Sequence, residues 1–389
     1  MTSEMAIYNQ NGLVLAADSA LTFSIAGRPV NTLNSATKLF AIDKSHYVGI
    51  MIYNNATFMG ISWQVIINSF KDYIKDEPQD TLDDYVQTFI KYVETMNIYT
   101  EASQIKMIQE YAILLRDGLH IPTSDEPSEI QIVVKSIMRY KNRFDTEGLL
   151  NIDKDKFVSE FKPWIVKVFR EKYGRHYQNL EKLFVDTVYD YVCSSEMIAK
   201  TFTGIIFAGY GVKDLFPSVE QLSFDGTYLN TIKYRKEWTR TADPFGEDHS
   251  EASIIPIGQR DTAYSILNGI GQDLDDLRLE EINQLETELK NDANLYLEDQ
   301  DDIKSFEKAV SSLLIQNNKE FNQLVKQNYT EPFVDMIQTL SIQEMGEIAE
   351  TLVSATAFKR KYSGDLRTSG GPIDILAISR SDGVRWLNN

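Results

Sequence analysis

Short apolar runs separated by turn residues open the chain, return in its middle and close it, while the long stretches between them repeat apolar residues at helical spacing. A chain of this kind has to bury sheets against helices. From Met5 to about Ile52 the runs are MAIY, LVLAA, TKLFAI and YVGIMIY, which read as strands. Asn11-Gly12 falls between the first two, and both residues tolerate the positive φ of a type I′ turn, so a β-hairpin is expected to turn there. Between Met59 and about Ile74, the residues Trp63, Ile66, Ile67, Phe70 and Ile74 keep the i, i+3, i+4 rule and predict an amphipathic helix. A second helix is expected from Leu82 to about Val93.

Residues 97–200 are mixed. Helical spacing covers Ile105–Leu115 and Trp164–Tyr173, Ile121–Pro127 reads as a proline-containing loop, and the β-branched run Ile130–Ile137 reads as a strand. Strand character returns at Thr203–Tyr210, Gln221–Phe224 and Ile254–Ile257, with a turn expected at Asp225-Gly226. From 263 to about 358 the pattern is helical throughout. Between Gln272 and Lys304 there are twelve acidic residues against three basic ones, which reads as a solvated helix face. The chain closes with a strand at Pro372–Ser379, a turn at Asp382-Gly383 and a short strand at Val384–Leu387. The sum is an α+β fold with sheets between helices, without internal repeats or low-complexity segments.

Length and charge narrow the function. At 389 residues the chain is sized for two to three domains, or for one with large insertions. Lys and Arg number 39 against 57 Asp and Glu, a formal charge of −18 that repels a phosphate backbone, so nucleic acid is not an expected partner. Cys193 is the single cysteine, which excludes a disulfide framework and a cysteine-based zinc site and fits a reducing compartment. Glu4 stands where a secretory signal carries Lys or Arg, and no apolar run reaches membrane-spanning length; the expectation is a soluble cytoplasmic protein, without membrane contact.

The familiar catalytic signatures are missing: no G-x-S-x-G elbow, P-loop, G-x-G-x-x-G or H-E-x-x-H. His46, His120, His176 and His249 stand at no metal-ligand spacing, so no metal is expected. What remains is the start of the chain. An initiator Met before a small residue is normally removed, which here exposes Thr2 with a free α-amine. Such a threonine supplies nucleophile and base together, because its hydroxyl attacks a carbonyl while its own amine accepts the proton. A lysine nearby keeps that amine neutral, and a carboxylate keeps the lysine charged and oriented.

TSEMAIYNQNGLVLAADSALT resembles the opening of proteasome β-subunits and their bacterial relatives, in which an N-terminal Thr starts a strand and the next strand ends in A-A-D-S. Thr2 and Asp18 stand at the family's separation. TKLFAI resembles the strand that carries the family's catalytic lysine, which places that role on Lys38, after a linker, TFSIAGRPVNTLNSA, a few residues longer than usual. In the family's order, YVGIMIYNNATFMGISW resembles the strand and first helix behind the site, GIIFAGYG and LSFDGTY the central strand pair, IIPIGQRDTAYSIL the lead-in to the third helix, and TSGGPIDILAISRSDGVRW the S-G-G segment and last hairpin. Together the blocks cover roughly half the chain.

The resemblance implies a four-layer αββα sandwich of the N-terminal-nucleophile hydrolase type. It implies a core over 1–96, 201–289 and 336–389, with a mostly helical insertion at 97–200 and a helical extension at 290–335. It implies an acyl-enzyme on Thr2, a peptide or amide substrate, a homo-oligomer, a separate ATPase unfoldase if one is used, and no cofactor. Three positions depart from the family. Tyr53 or Asn54 falls where relatives have the oxyanion-hole glycine, although any backbone N–H other than proline's still serves. Gln259 replaces the serine that positions the amine. Ser369 matches the S-G-G serine, but Leu366 falls where relatives carry an aspartate, with Asp365 one residue away. Taken singly, Thr2 reads as a strand start, Asp18 as a turn carboxylate and Lys38 as a surface charge. Two other readings share the fold: a non-catalytic assembly subunit and a small-molecule amidohydrolase.

Overall fold

A computed structural model describes residues 3–25, 28–33, 36–43, 45–75, 77–96, 99–120, 127–144, 150–197, 202–246, 251–362 and 370–388. The first strands are β1 (Ser3–Asn9), β2 (Gly12–Asp18), β3 (Leu21–Ile25), β4 (Arg28–Leu33), β5 (Leu39–Asp43), β6 (His46–Asn54), β7 (Thr57–Phe58) and β8 (Ile61–Ser62). Helices follow: α1 (Trp63–Ile74), α2 (Leu82–Thr95), α3 (Glu101–Asp117), α4 (Pro127–Arg143), α5 (Lys154–Tyr173) and α6 (Glu181–Cys193). Then come β9 (Thr203–Gly209), β10 (Ser218–Tyr228), β11 (Thr231–Thr241) and β12 (Ser253–Gly258), and the helices α7 (Asp261–Leu267), α8 (Gln272–Tyr296), α9 (Gln300–Val325), α10 (Glu331–Thr339) and α11 (Ile342–Tyr362). The last strands are β13 (Ile373–Ser379) and β14 (Gly383–Trp386). None of the described helices is long and apolar enough to cross a membrane.

The fold is mixed, with antiparallel sheets and many helices, and the chain divides into two compact units. The first comprises Met1–Met51, Ala208–Ser218 and Arg240–Asn389. Its sheet has the order β12-β1-β2-β13-β14. Side chains alternate across a strand. Met5, Ile7, Val14, Ala16, Ile375 and Ala377 therefore face one way, onto Ala263 of α7, Ile337 of α10 and Met345, Ala349, Leu352 and Val353 of α11. The opposite face meets the β5–β6 hairpin, where a side chain at Gly49 would strike Leu15, Leu376 and Ile378. This unit thus stacks helices, sheet and strand pair in three layers.

The second unit comprises Ile52–Phe207 and Val219–Thr239. Here α1 and α2 cover β9 and β10 through an aromatic cluster: Trp63 stacks on Phe58 at 5.0 Å, and Phe89 meets Phe207 at 5.2 Å and Phe224 at 6.0 Å. Ser62 caps α1, and Thr81 with Asp84 forms a capping box on α2, so both helices start at residues that satisfy their free N–H groups. Helices α3 to α6 bury their own core, including Tyr111, Val133, Ile137, Phe157, Phe169 and Val188.

Three local expectations are corrected. The run Ile130–Ile137 lies inside α4, because Ile130, Val133, Val134 and Ile137 also fit i, i+3, i+4, i+7, and the buried positions Val133 and Ile137 fall on that helical face. Asp225-Gly226 lies within β10; the turn falls at Leu229-Asn230, both at positive φ (48° and 64°), with the Leu229 N–H donating to Gln104 Oε1 at 2.8 Å. The first hairpin turns at Gln10-Asn11, one residue early, since Asn9 pairs with Gly12. Asn9 fixes it: its Oδ1 accepts the Asn11 N–H and its amide donates to the carbonyls of Ile337 and Leu340 at the end of α10. Gly12 is needed for close approach, because a Cβ there would lie 2.6 Å from the Ile378 carbonyl.

Candidate active site

All seven residues of β2 are buried, and the strand ends at Asp18, which pairs across the sheet with Ile373 at the start of β13. The next residue, Ser19, is tied to the Pro372 carbonyl by its N–H (3.0 Å) and its hydroxyl (2.9 Å), which locks the end of β2 to the chain just after the glycine pair. Asp18 then becomes a hub. Its Oδ1 accepts the Lys38 ammonium and the Ser3 N–H (3.4 Å), and its Oδ2 accepts the Gly370 N–H (2.7 Å). Gly370 holds φ near +148°, where a side chain is strained, so glycine suits this approach. Lys38 stands immediately before β5, and its ammonium also lies 3.5 Å from Glu4 Oε1 on β1.

Asp18, Lys38 and Glu4 are all buried, at 1%, 5% and 1% exposure. Two carboxylates and one ammonium make a buried trio of formal charge −1. Ionised groups removed from water persist only when paired and hydrogen-bonded; Lys38 is paired from two sides, and Asp18 receives two backbone N–H groups in addition. Asp374, one residue further on β13, feels the same lysine: burial pushes its carboxyl above the ordinary carboxylate value, and the charge of Lys38 opposes that rise.

The arrangement brings Asp18 and Lys38 together as an ion pair. Gln259 is buried at the end of β12, after Gly258, which pairs in register with Ser3, and it lines a cleft with Arg260, Asp261, Tyr264 and Arg360. Tyr53 and Asn54 belong to the second unit. There the Tyr53 ring lies against Gly204 and its hydroxyl accepts the Gln221 amide at 2.8 Å. Asn54 adopts a left-handed φ of 71° and donates its side-chain amide to the Phe202 carbonyl at 2.7 Å. Thr2, Asp365 and Ser369 lie outside the described residues. Among the described residues, no group of three or more His, Cys, Asp or Glu is placed to hold a metal ion.

Sequence reasoning missed Glu4. The signal was present: an acid directly before the apolar run MAIY, in a strand whose seven residues are all buried, is costly unless a cation meets it. Chemically, the trio can hold a fixed ammonium beside the first residues of β1, where it lowers the cost of a developing negative charge and disfavours a second cation.

No protein-family model and no curated protein matches this sequence. Among solved structures, an Anbu (Gly-1) mutant from Hyphomicrobium sp. strain MC1 is similar at 11% identity and a TM-score of 0.33, over 100% of this chain and 87% of that one.

Proposed function

We propose that the chain is an N-terminal threonine hydrolase of the proteasome-like type, cleaving an amide or peptide bond through an acyl-enzyme on Thr2. One observation carries the reading. The buried Lys38–Asp18 pair is joined by the backbone N–H of Ser3, the residue directly after Thr2, so the beginning of β1 runs into the charged cluster. In this reading Met1 is removed, Thr2 Oγ attacks the carbonyl carbon, and the hydroxyl proton passes to the Thr2 α-amine. The tetrahedral intermediate collapses, the C–N bond breaks, and the leaving amine takes that proton. Water, deprotonated by the same α-amine, then hydrolyses the ester and restores Thr2. Lys38 keeps the α-amine neutral by charge repulsion, and Asp18 and Glu4 keep Lys38 charged. Gln259, Ser369 and Asp365 order the amine and its water. A backbone N–H at Tyr53 or Asn54 is the oxyanion donor.

The same reading takes the fold as a four-layer αββα sandwich, with 97–200 and 290–335 as insertions, working as a homo-oligomer in a reducing compartment. The test is intact mass and N-terminal sequencing of the native protein before and after an epoxyketone, which needs both the hydroxyl and the amine of one threonine. The expected result is a chain beginning at Thr2 that gains one inhibitor mass. Thr2→Ala abolishes the gain, and Lys38→Met slows it by roughly 10²-fold or more. A chain that keeps Met1, or one labelled equally after Thr2→Ala, overturns the mechanism and leaves a non-catalytic assembly subunit.

A further inference from the structure

Helices α8 and α9 form an antiparallel hairpin through a short link at Leu297–Asp299. The register is fixed by Arg278 to Asn318 (2.9 Å), Ser311 to Glu286 (2.5 Å) and Asn294 to Glu307 (3.2 Å). Two helices of this length pack along one seam each, which here includes Ala293 on α8 and Ile303 and Val310 on α9. Yet large apolar side chains remain in water beside that seam. Leu274, Leu285 and Leu295 on α8 and Leu313 and Leu324 on α9 are 61%, 47%, 71%, 67% and 57% exposed, and Phe306 on α9 is 40% exposed.

These six are not scattered. On α8, Leu274 and Leu285 stand eleven residues apart, three helical turns, and Leu295 falls on the same broad face; on α9, Phe306, Leu313 and Leu324 follow i, i+7, i+18. Leu274 and Leu285 on α8 and the three residues on α9 sit about a quarter turn from the seam in the same rotational sense, with Leu295 turned further from it, and because the helices run antiparallel this brings the stripes to one side of the hairpin. In the observed register they fall level in three rungs, Leu274 with Leu324, Leu285 with Leu313 and Leu295 with Phe306, over roughly 30 Å of helix.

The exposed charges on that side have one sign, the half-buried Arg278 there being paired with Asp275 at 2.7 Å. Glu281, Glu288 and Asp292 on α8 and Glu320 on α9 are exposed between the rungs, whereas Lys290, Lys304, Lys308 and Lys319 fall on the other side of the hairpin. A ladder of exposed apolar rungs bordered by exposed carboxylates has the chemistry that receives an amphipathic helix with a basic border. A second copy would set these carboxylates against their own counterparts, which disfavours the face-to-face dimer.

We propose that this face of the α8–α9 hairpin docks a basic amphipathic helix of a partner protein. The apolar stripe of the partner lies along the rungs, and its Lys and Arg residues border Glu281, Glu288, Asp292 and Glu320.

The probe is a fluorescently labelled peptide of about 20 residues with Leu at helical spacing and Lys elsewhere, titrated with the whole chain and read by anisotropy. A peptide of the same composition in scrambled order is the control. The designed peptide is expected to bind and to become helical, and the scrambled one to bind at least about tenfold more weakly. Leu285→Gln with Leu313→Gln, both exposed and so neutral to folding by circular dichroism, weakens binding by a similar factor, and Glu281→Lys with Glu288→Lys weakens it and flattens its salt dependence. Equal binding of the scrambled peptide, or binding unmoved by the leucine pair, overturns the proposal. Sedimentation that shows a dimer dissolved by the same leucine pair also overturns it and assigns the face to a second copy.

Discussion

Lys233 on β11 offers a pH test of how the second unit is held together. It is fully buried, 3.5 Å from Asp225 Oδ2 on β10, donates to the Tyr191 carbonyl at 2.9 Å and lies over the Tyr191 ring at 4.1 Å. Asp225 in turn accepts the hydroxyls of Tyr111 on α3 (2.5 Å) and Tyr191 on α6 (2.8 Å), so this cluster ties the helices of 97–200 to the sheet strands. Burial pushes the Lys233 ammonium down from 10.5 to about 8, and Asp225 opposes the fall. The sign follows from proton counting. Between pH 8 and 10.5 the unfolded chain binds more protons at this residue than the folded one, so its contribution to stability rises with pH across that window and is lost as pH falls through 8. A fall of about 2.5 pH units corresponds to about 3 kcal/mol in full, or about 2 kcal/mol by pH 9.5. The measurement is the difference in unfolding free energy between the wild type and Lys233→Met, from urea titrations followed by tryptophan fluorescence at several values between pH 7 and 9.5. Taking the difference cancels the tyrosines common to both. The wild type should gain about 2 kcal/mol on the variant across the range. A flat difference refutes the reasoning, because it means Asp225 and the Tyr191 ring outweigh burial and the lysine stays protonated.

Two further contacts can be probed in the same unit. A Cβ at Gly204 would lie 1.9 Å from the Tyr53 ring, so Gly204→Ala should cost about 2 kcal/mol or more by thermal melt, and Tyr53→Ala in the same chain should recover part of that loss; strict additivity would refute the contact. The Trp63 indole N–H donates to Thr203 Oγ1 at 2.8 Å inside the aromatic cluster, so Thr203→Val should cost about 1–3 kcal/mol by stranding that donor, and Trp63→Leu about 3–5 kcal/mol in denaturant titration; equal small losses would show the cluster is not packed as described.

What could be read without the structure was whatever local spacing encodes. The helix over Trp63–Ile74 shows the faces its periodicity prescribes, with Trp63, Ile66, Ile67, Phe70 and Ile74 buried, because a 3.6-residue repeat leaves only one face to bury. The strands MAIY and LVLAA are buried along their length, as continuous apolar runs require. Asp18 and Lys38 were singled out by their order in a resembling block. Tertiary structure decided the rest. It made Ile130–Ile137 a helix, because β-branched residues can satisfy both periods and only the neighbouring core chooses between them. It moved two turns to Gln10-Asn11 and Leu229-Asn230, where groups distant in sequence, the Ile337 and Leu340 carbonyls on the Asn9 amide and Gln104 on the Leu229 amide, set the geometry. It also set Glu4 against Lys38 and the Gly370 N–H on Asp18, contacts across 34 and 352 residues of chain that no local pattern carries. Periodicity fixes which side of an element is apolar, but a buried charge is explained only by the cation the fold brings to it.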